Sequence, residues 1–431
     1  MKLAIIADDL TGANDSGVQL AAHGLSTAVL FDMDEDGAKR YEAVVYDTDS
    51  RAVSRETAYE RVEAAARFLV QADFVNVFKK MDSTMRGNIG AEIDAVYDVL
   101  QPDFVMFAPG YPKNNRTVAG STLYLKGVPV GETEIARDPK TPVTVSYLPE
   151  LLGQQTSRAV GTITVDDLAQ GQAHVLAKLA QYSEREIAIV VVDSTEEQHL
   201  EQILSYVKQA PYTFVWAGSA GLANYLPAYY DLPTRPGQVD IAPNDGPILT
   251  VIGSVNKNSR AQLKQLLDKA DAIGIPLDSA QAVASSEAQA AEVERVYLRA
   301  LGLAQEGKDV VLYSTGEPEH IAAAQRIGEA RGWTATEVSN EIVKALGAVC
   351  APLLEQGYFT GVSMSGGDTA KQICERWGIK GFELQGELEI GVPISTFLGK
   401  EDLYVVTKAG GFGTEDVFIH AIQRLKGAVH A

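Results

Sequence analysis

Short apolar runs of strand length alternate with amphipathic helix patterns along nearly the whole chain, and this alternation constrains the fold more than any other feature. In the first 230 residues the runs fall at 2–7, 27–31, 42–46, 74–78, 104–108, 159–164, 187–192 and 213–216, with helix patterns between several of them, as at 54–71 and 90–100. Such alternation predicts βαβ units around a mainly parallel sheet. Residues 111–149 break the rhythm: rich in Gly, Pro, Asn and Thr and without a helical period, they predict a long loop of a kind that is often functional. Pro233, Pro236, Pro243 and Pro247, with Gly237 and Gly246, predict a stiff linker over 231–247. Beyond it, runs at 247–252, 272–275, 309–313, 360–364, 388–393 and 403–406 alternate with helix patterns at 259–269, 285–306 and 340–355. The expected organisation is two α/β domains, 1–230 and 248–431, each a mainly parallel sheet flanked by helices, with the active site in the cleft between them.

A chain of 431 residues, 46% hydrophobic, has enough apolar material for two or three cores. Its longest apolar runs, such as 187–192, are far too short to span a bilayer, so no membrane partner is expected. The one Lys and brief apolar stretch at the N-terminus, cut off by Asp8, do not make a signal peptide. Cys350 and Cys374 show neither metal spacing nor disulfide density, which fits core thiols in a reducing cytoplasm. A net charge of −20 argues against a general nucleic-acid binder, but not against a small anion that sees only its own pocket. The six histidines share no ligand spacing, and no protein metal site is expected from them. Oligomeric state stays open at this level, a homodimer included.

Charged and hydroxyl side chains gather where strands end. Asp8, Asp9, Thr11 and Gly12 follow the first strand, and Asp47 to Arg51 follow the third. The stretch from Lys79 and Lys80 through Asp82, Ser83, Thr84 and Arg86 follows the fourth, and Asn114 and Arg116 follow the fifth. In a parallel sheet these loops share one edge and can converge on one crevice. Arg51, Lys80, Arg86 and Arg116 suit a substrate carboxylate, Arg by its bidentate fork. Ser83, Thr84 and Asn114 suit sugar hydroxyls, and Asp9 or Asp82 suits a hydroxyl proton in phosphoryl transfer. The plainer alternative for Asp8 or Asp9 is a helix cap, with Asp8 the better candidate for that duty.

In the second half, Ser365-Gly366-Gly367-Asp368-Thr369-Ala370 stands between a strand and a helix pattern, where backbone N–H groups face phosphate oxygens. Lys408-Ala409-Gly410-Gly411-Phe412-Gly413-Thr414, Gly253-Ser254-Val255-Asn256 and Ser314-Thr315-Gly316 also follow strands. One such loop resembles an ordinary C-cap glycine; several in one domain favour a nucleotide site. The Walker signature, the dinucleotide fingerprint and the protein-kinase motifs are all missing from the sequence, so a Walker ATPase, an NAD dehydrogenase and a protein kinase are poorly supported.

Four of these segments, Ile6-Ala7-Asp8-Asp9-Leu10-Thr11-Gly12-Ala13-Asn14-Asp15, Lys79-Lys80-Met81-Asp82-Ser83-Thr84-Met85-Arg86-Gly87-Asn88, Ser365-Gly366-Gly367-Asp368-Thr369-Ala370 and Lys408-Ala409-Gly410-Gly411-Phe412-Gly413, occur in an order that resembles the four-carbon acid sugar kinases. The run Asn14-Asp15-Ser16-Gly17-Val18-Gln19-Leu20 is most similar to the D-threonate kinase branch. The resemblance implies ATP- and Mg²⁺-dependent phosphorylation of the terminal hydroxyl of a sugar acid, D-threonate first, with D-erythronate or 3-oxo-tetronate as alternatives. It implies acid binding at Asp9, Arg51, Lys80, Asp82, Ser83 and Thr84, with Asp9 ahead of Asp82 as the base; Arg86 and Arg116 are added from chemistry alone. On the nucleotide side it implies Ser254, Gly366, Gly367, Asp368, Thr369, Gly410, Gly411 and Gly413. A non-catalytic sugar-acid sensor is the alternative of another class, and it would need neither a carboxylate base nor phosphate loops.

Overall fold

The computed structural model describes residues 2–138, 140–232 and 239–428. The chain divides into two compact units, Met1–Pro236 and Gly237–Ala431.

In the first unit, β1 (Leu3–Ala7), β2 (Thr27–Leu30), β3 (Ala43–Asp47), β4 (Asn76–Lys80) and β5 (Phe104–Ala108) are joined by helices such as Leu10–Ala22, Arg55–Gln71 and Ile89–Leu100. Three short strands follow, β6 (Arg116–Ala119), β7 (Thr122–Leu125) and β8 (Val128–Pro129), and then β9 (Val160–Ile163), β10 (Ile189–Val192) and β11 (Phe214–Gly218). The main sheet has the order β2-β3-β1-β4-β11-β5-β10-β9, and every pairing in it is parallel. Both faces of such a sheet are covered, so its strands are apolar throughout rather than alternating. All five residues of β1 are buried, and Phe78, Phe107 and Trp216 pack the same layers. Each side chain of that size contributes about 1.5–3 kcal/mol on burial.

Two sequence expectations change here. The fourth strand runs two residues further than its apolar stretch, so Lys79 and Lys80 end β4 rather than open a loop. Lys79 lies inside the sheet and is tolerated because Glu92, from the next helix, meets its ammonium at 2.7 Å. The region 111–149 is not a bare loop: β6, β7 and β8 make a small antiparallel sheet, which Asp193 anchors by accepting from the backbone N–H groups of Gly120 and Ser121 at 2.7 and 2.8 Å.

The second unit contains β12 (Ile248–Ile252), β13 (Ala272–Leu277), β14 (Asp309–Ser314), β15 (Gly361–Ser365), β16 (Gly381–Glu389), β17 (Val392–Phe397) and β18 (Lys400–Lys408). Their order is β13-β14-β12-β15-β18-β17-β16, parallel from β13 to β18 and antiparallel through β17 and β16. The single strand expected at 388–393 is therefore a correction: Ile390 and Gly391 turn a hairpin between β16 and β17, with Gly391 at φ 75. Ile248, Ile252, Leu263, Leu266, Val406 and Phe418 belong to one core cluster, and Ile241 joins it. Of the expected linker, residues 233–238 lie outside the described residues. Its later part is held against the second unit, where the Asn244 amide donates to Leu425 O at 3.0 Å.

Candidate functional site

In the first unit the chain runs from β1 out to β2 and β3 on one side and then returns to β4 on the other. The strand order therefore reverses around β1, and the carboxyl ends of strands at such a reversal form a ligand crevice. The loops after β3, β1 and β4 meet there. Backbone bonds pin them together: Ser50 N and Arg51 N both donate to Asp8 O, at 3.0 and 3.2 Å.

At the centre stands Arg51, between two carboxylates. Its Nε and Nη2 donate to Asp8 at 2.7 and 2.9 Å, and its Nη1 and Nη2 donate to Asp9 at 2.6 and 2.7 Å. A guanidinium has five N–H bonds, so one, on Nη1, is left over. The fork expected to take a substrate carboxylate is filled from within the protein.

The two aspartates differ in duty, and the cap expected of Asp8 falls to Asp9. Asp9, not Asp8, caps the helix Leu10–Ala22, accepting from Gly12 N at 2.8 Å. The Asp8 side chain is 2% exposed and that of Asp9 25%, so Asp9 is the one a ligand can reach. Burial pushes the Asp9 carboxyl up and Arg51 pulls it down; with the Asp8 charge alongside, it lies above its ordinary value. Asp8 is buried too, but Arg51, Lys80 and Lys79 hold it below. A Cβ at Gly12 would lie 2.6 Å from the Lys80 ammonium, which would have to shift to admit it. Lys80 is buried, and its Nζ donates to Met81 O at 2.8 Å.

Asp82 is engaged on all sides. Arg86 grips it through Nε at 2.8 Å and Nη2 at 3.0 Å, and the Thr84 hydroxyl also donates to it. Burial would raise its carboxyl, but Arg51 and Arg86 hold it far below the usual carboxylate range. Arg86 also reaches Asp138 at 3.3 Å, a partner from the long loop that no local pattern foretold. Ser83 beside them is half-buried.

Arg116 is different. Its Nη1 donates to Asn114 O and to Asn114 Oδ1, the latter at 2.7 Å. Its Nε is buried without a hydrogen-bond partner, and no carboxylate among the described residues forms an ion pair with it. Burial lowers its affinity for the proton, while Asp82 and Asp15 act the other way. It is the arginine of this group with a nitrogen left without a partner.

In the second unit the order reverses around β12, and the loops after β12, β15 and β18 lie at that edge. Gly366 takes φ 104, in the region that favours glycine, and opens the helix Gly367–Trp377 with Asp368 exposed in its first turn. Gly366 N donates to Lys408 O at 3.0 Å, joining the second loop to the third. Ser259, on the helix that follows the first loop, donates to Gly410 O at 3.0 Å. Gln262 braces the third loop through Phe412 O, Gly413 O and Thr414 O at 3.0, 3.1 and 2.8 Å. Ser254 turns the first loop by accepting from Asn256 N at 3.2 Å. Thr369 is buried, whereas Gly411 is exposed. These bonds show why Ser259 and Gln262 matter, although their sequence context is that of an ordinary helix. No group of three or more His, Cys, Asp or Glu side chains among the described residues has the arrangement of a metal site.

Two family models cover most of the chain: a sugar-binding N-terminal domain over residues 3–226 and a nucleotide-binding C-terminal domain over residues 249–418. The chain is 32% identical over 425 residues to a D-threonate kinase of Salmonella typhimurium strain LT2, covering 98% of each protein. It is 30% identical over 425 residues to a D-erythronate kinase of Heliobacterium modesticaldum, covering 96% of this chain and 94% of the other. A solved structure of a Salmonella typhimurium LT2 protein superposes with a TM-score of 0.82 at 27% identity, covering 98% of this chain and 99% of that one.

Proposed function

The chain belongs to the four-carbon acid sugar kinases, and from that premise we propose that it transfers the γ-phosphoryl group of ATP to the terminal hydroxyl of D-threonate. The greater identity to the D-threonate kinase supports this substrate over D-erythronate. The observation that carries the acid site is Arg116: a partly buried guanidinium with an unpaired donor beside a cluster rich in hydroxyls and paired charges. A substrate carboxylate supplies the charged partner that this guanidinium lacks.

In this reading Asp9, Arg51, Lys80, Asp82, Ser83, Thr84, Arg86 and Arg116 form the acid site. Arg51 holds Asp9 in place, and Arg86 and Thr84 fix Asp82. Lys80 lends positive charge at the head of the first helix, while Ser83 offers its hydroxyl to the substrate. Asp9 is the better proton acceptor, because its carboxyl is reachable and raised whereas that of Asp82 is gripped and depressed. ATP falls to Ser254, Gly366, Gly367, Asp368, Thr369, Gly410, Gly411 and Gly413, whose backbone N–H groups and helix N-terminus suit phosphate. Mg²⁺ arrives on the ATP phosphates; such ions keep much of their water and need few protein ligands. Two buried free thiols suit a cytoplasmic enzyme.

An ADP-release assay over D-threonate, D-erythronate and 3-oxo-tetronate tests the substrate. D-threonate should give the highest kcat/KM; a higher value for either rival reassigns it, and no ADP with any of the three rejects the proposal. Arg116→Ala should raise the KM for the acid by about 10–100-fold, the worth of a hydrogen bond to a charged group, and leave the KM for ATP unchanged. Equal rises in both would remove Arg116 from the acid site.

A further inference from the structure

We propose that Lys408 is a positioning residue of the nucleotide site: its buried ammonium ties the three loops together from behind and supplies a fixed positive charge that favours bound phosphates. The proposal rests on reading the second unit as the ATP-binding one, and deepens it.

Lys408 ends β18 and is 4% exposed. Its Nζ lies 3.1 Å from Ser259 Oγ, 3.4 Å from Ser365 Oγ and 3.4 Å from Gly410 O. These oxygens come from the helix behind the first loop, the strand end before the second, and the third loop itself. An ammonium has three N–H bonds, and here each has one acceptor, all of them uncharged. The Phe418 ring covers it at 5.3 Å. No carboxylate forms an ion pair with it among the described residues.

A buried charge without a counter-ion is costly, and this one stands at a strand end where loop amides and a helix N-terminus already favour an anion. Of the elements packed around it, the helix Lys257–Lys269 presents Ser259, β15 presents Ser365, and the helix Val417–Leu425 presents Phe418. Glu389 of β16 is the carboxylate whose charge reaches it, and Glu389 is itself held by Thr414 N at 2.6 Å and His420 Nδ1 at 2.7 Å. An arriving nucleotide therefore brings Lys408 the negative charge it lacks. Burial takes its ammonium down to about 8, and phosphates nearby raise it again, so binding near that pH draws in a proton. If the rise is about one unit, protonation and ADP binding strengthen each other about tenfold.

Calorimetric titration of the full-length protein with ADP, in two buffers of different ionisation enthalpy, tests this. Measurements belong above about pH 7.5, where a terminal phosphate of pKa about 6 is already ionised. The wild type should take up about half a proton at pH 8 and lose affinity towards pH 9.5. Lys408→Met should bind ADP about tenfold more weakly at pH 7.5, without proton uptake and with a flat pH dependence. The wild-type proton uptake stands independently of how well the variant folds, and a cooperative unfolding transition retained by the variant's second unit checks its fold. Wild-type binding with no proton uptake, or a Lys408→Met affinity equal to wild type, overturns the proposal alone. No ADP binding by the wild type overturns the nucleotide reading, and this proposal with it.

Discussion

Arg51 holds two carboxylates at once, which sets what a single substitution does there. Removing the guanidinium leaves Asp8 and Asp9 side by side, like-charged, with Asp8 nearly sealed from water. Arg51→Ala should therefore cost about 3–5 kcal/mol of stability, a large share of the 5–15 kcal/mol typical of a domain, measured as the urea midpoint of the first unit. Arg51→Lys should recover only part of it, since an ammonium cannot fork two carboxylates. An unchanged midpoint in Arg51→Ala would mean that the pairing contributes nothing to the fold. Asp9 gives a pH prediction of known sign. A base must be ionised to accept a proton, and burial raises this one, so kcat should fall on acidification at a pH above the ordinary carboxylate range. Asp9→Asn should abolish that limb together with most of kcat. The sequence showed both aspartates at a strand end, but their division of labour depends on how far the fold around Arg51 seals each from water. That is a matter of tertiary distance, and no spacing in the chain encodes it.

Elements were legible where the apolar run and the strand coincide. Residues 104–108 form β5 to the residue, because nothing charged interrupts Phe104–Ala108. β4 was cut short because Lys79 and Lys80 ended the apolar pattern, and the partner that lets Lys79 stay inside, Glu92, belongs to another element. Strands β6 to β8 were invisible for a different reason: each has four residues or fewer, below the length at which alternation shows. The hairpin of β16 and β17 was read as one strand because its turn contains Ile390, whose side chain suggested a buried strand yet is 76% exposed. The glycine-rich turns were the most legible part of the candidate site, and one of them carries a prediction at this scale. Gly366 at φ 104 shapes the entry to its helix, and any β-carbon there adds strain of about 1–3 kcal/mol. In Gly366→Ala the free loop should relax out of that conformation, which ADP must then restore, so ADP binding should weaken by up to about 5- to 150-fold by calorimetry while D-threonate binding stays unchanged. A loss in both would indicate a global defect.

At the scale of the molecule, each unit has its own strands and its own buried apolar side chains. Ligands should then stabilise them separately: a saturating ligand at about 100 times its Kd adds about 2.7 kcal/mol to the unit that binds it. In scanning calorimetry ADP should raise one transition and D-threonate the other. A single transition moved equally by both would show that the units unfold as one. The strand orders also bear on how the protein is made. In the first unit β11, the last strand to leave the ribosome, inserts between β4 and β5, and in the second β18 inserts between β15 and β17. Until residue 218 emerges, β4 and β5 face an empty slot with unpaired amides and carbonyls on both rims. The first unit thus carries an open seam from residue 108 to residue 218 and relies on its final strand to close it, whereas in the second β18 follows β17 at once. Substitutions in Phe214–Gly218 should therefore raise chaperone demand during translation as well as lower the stability of the finished fold.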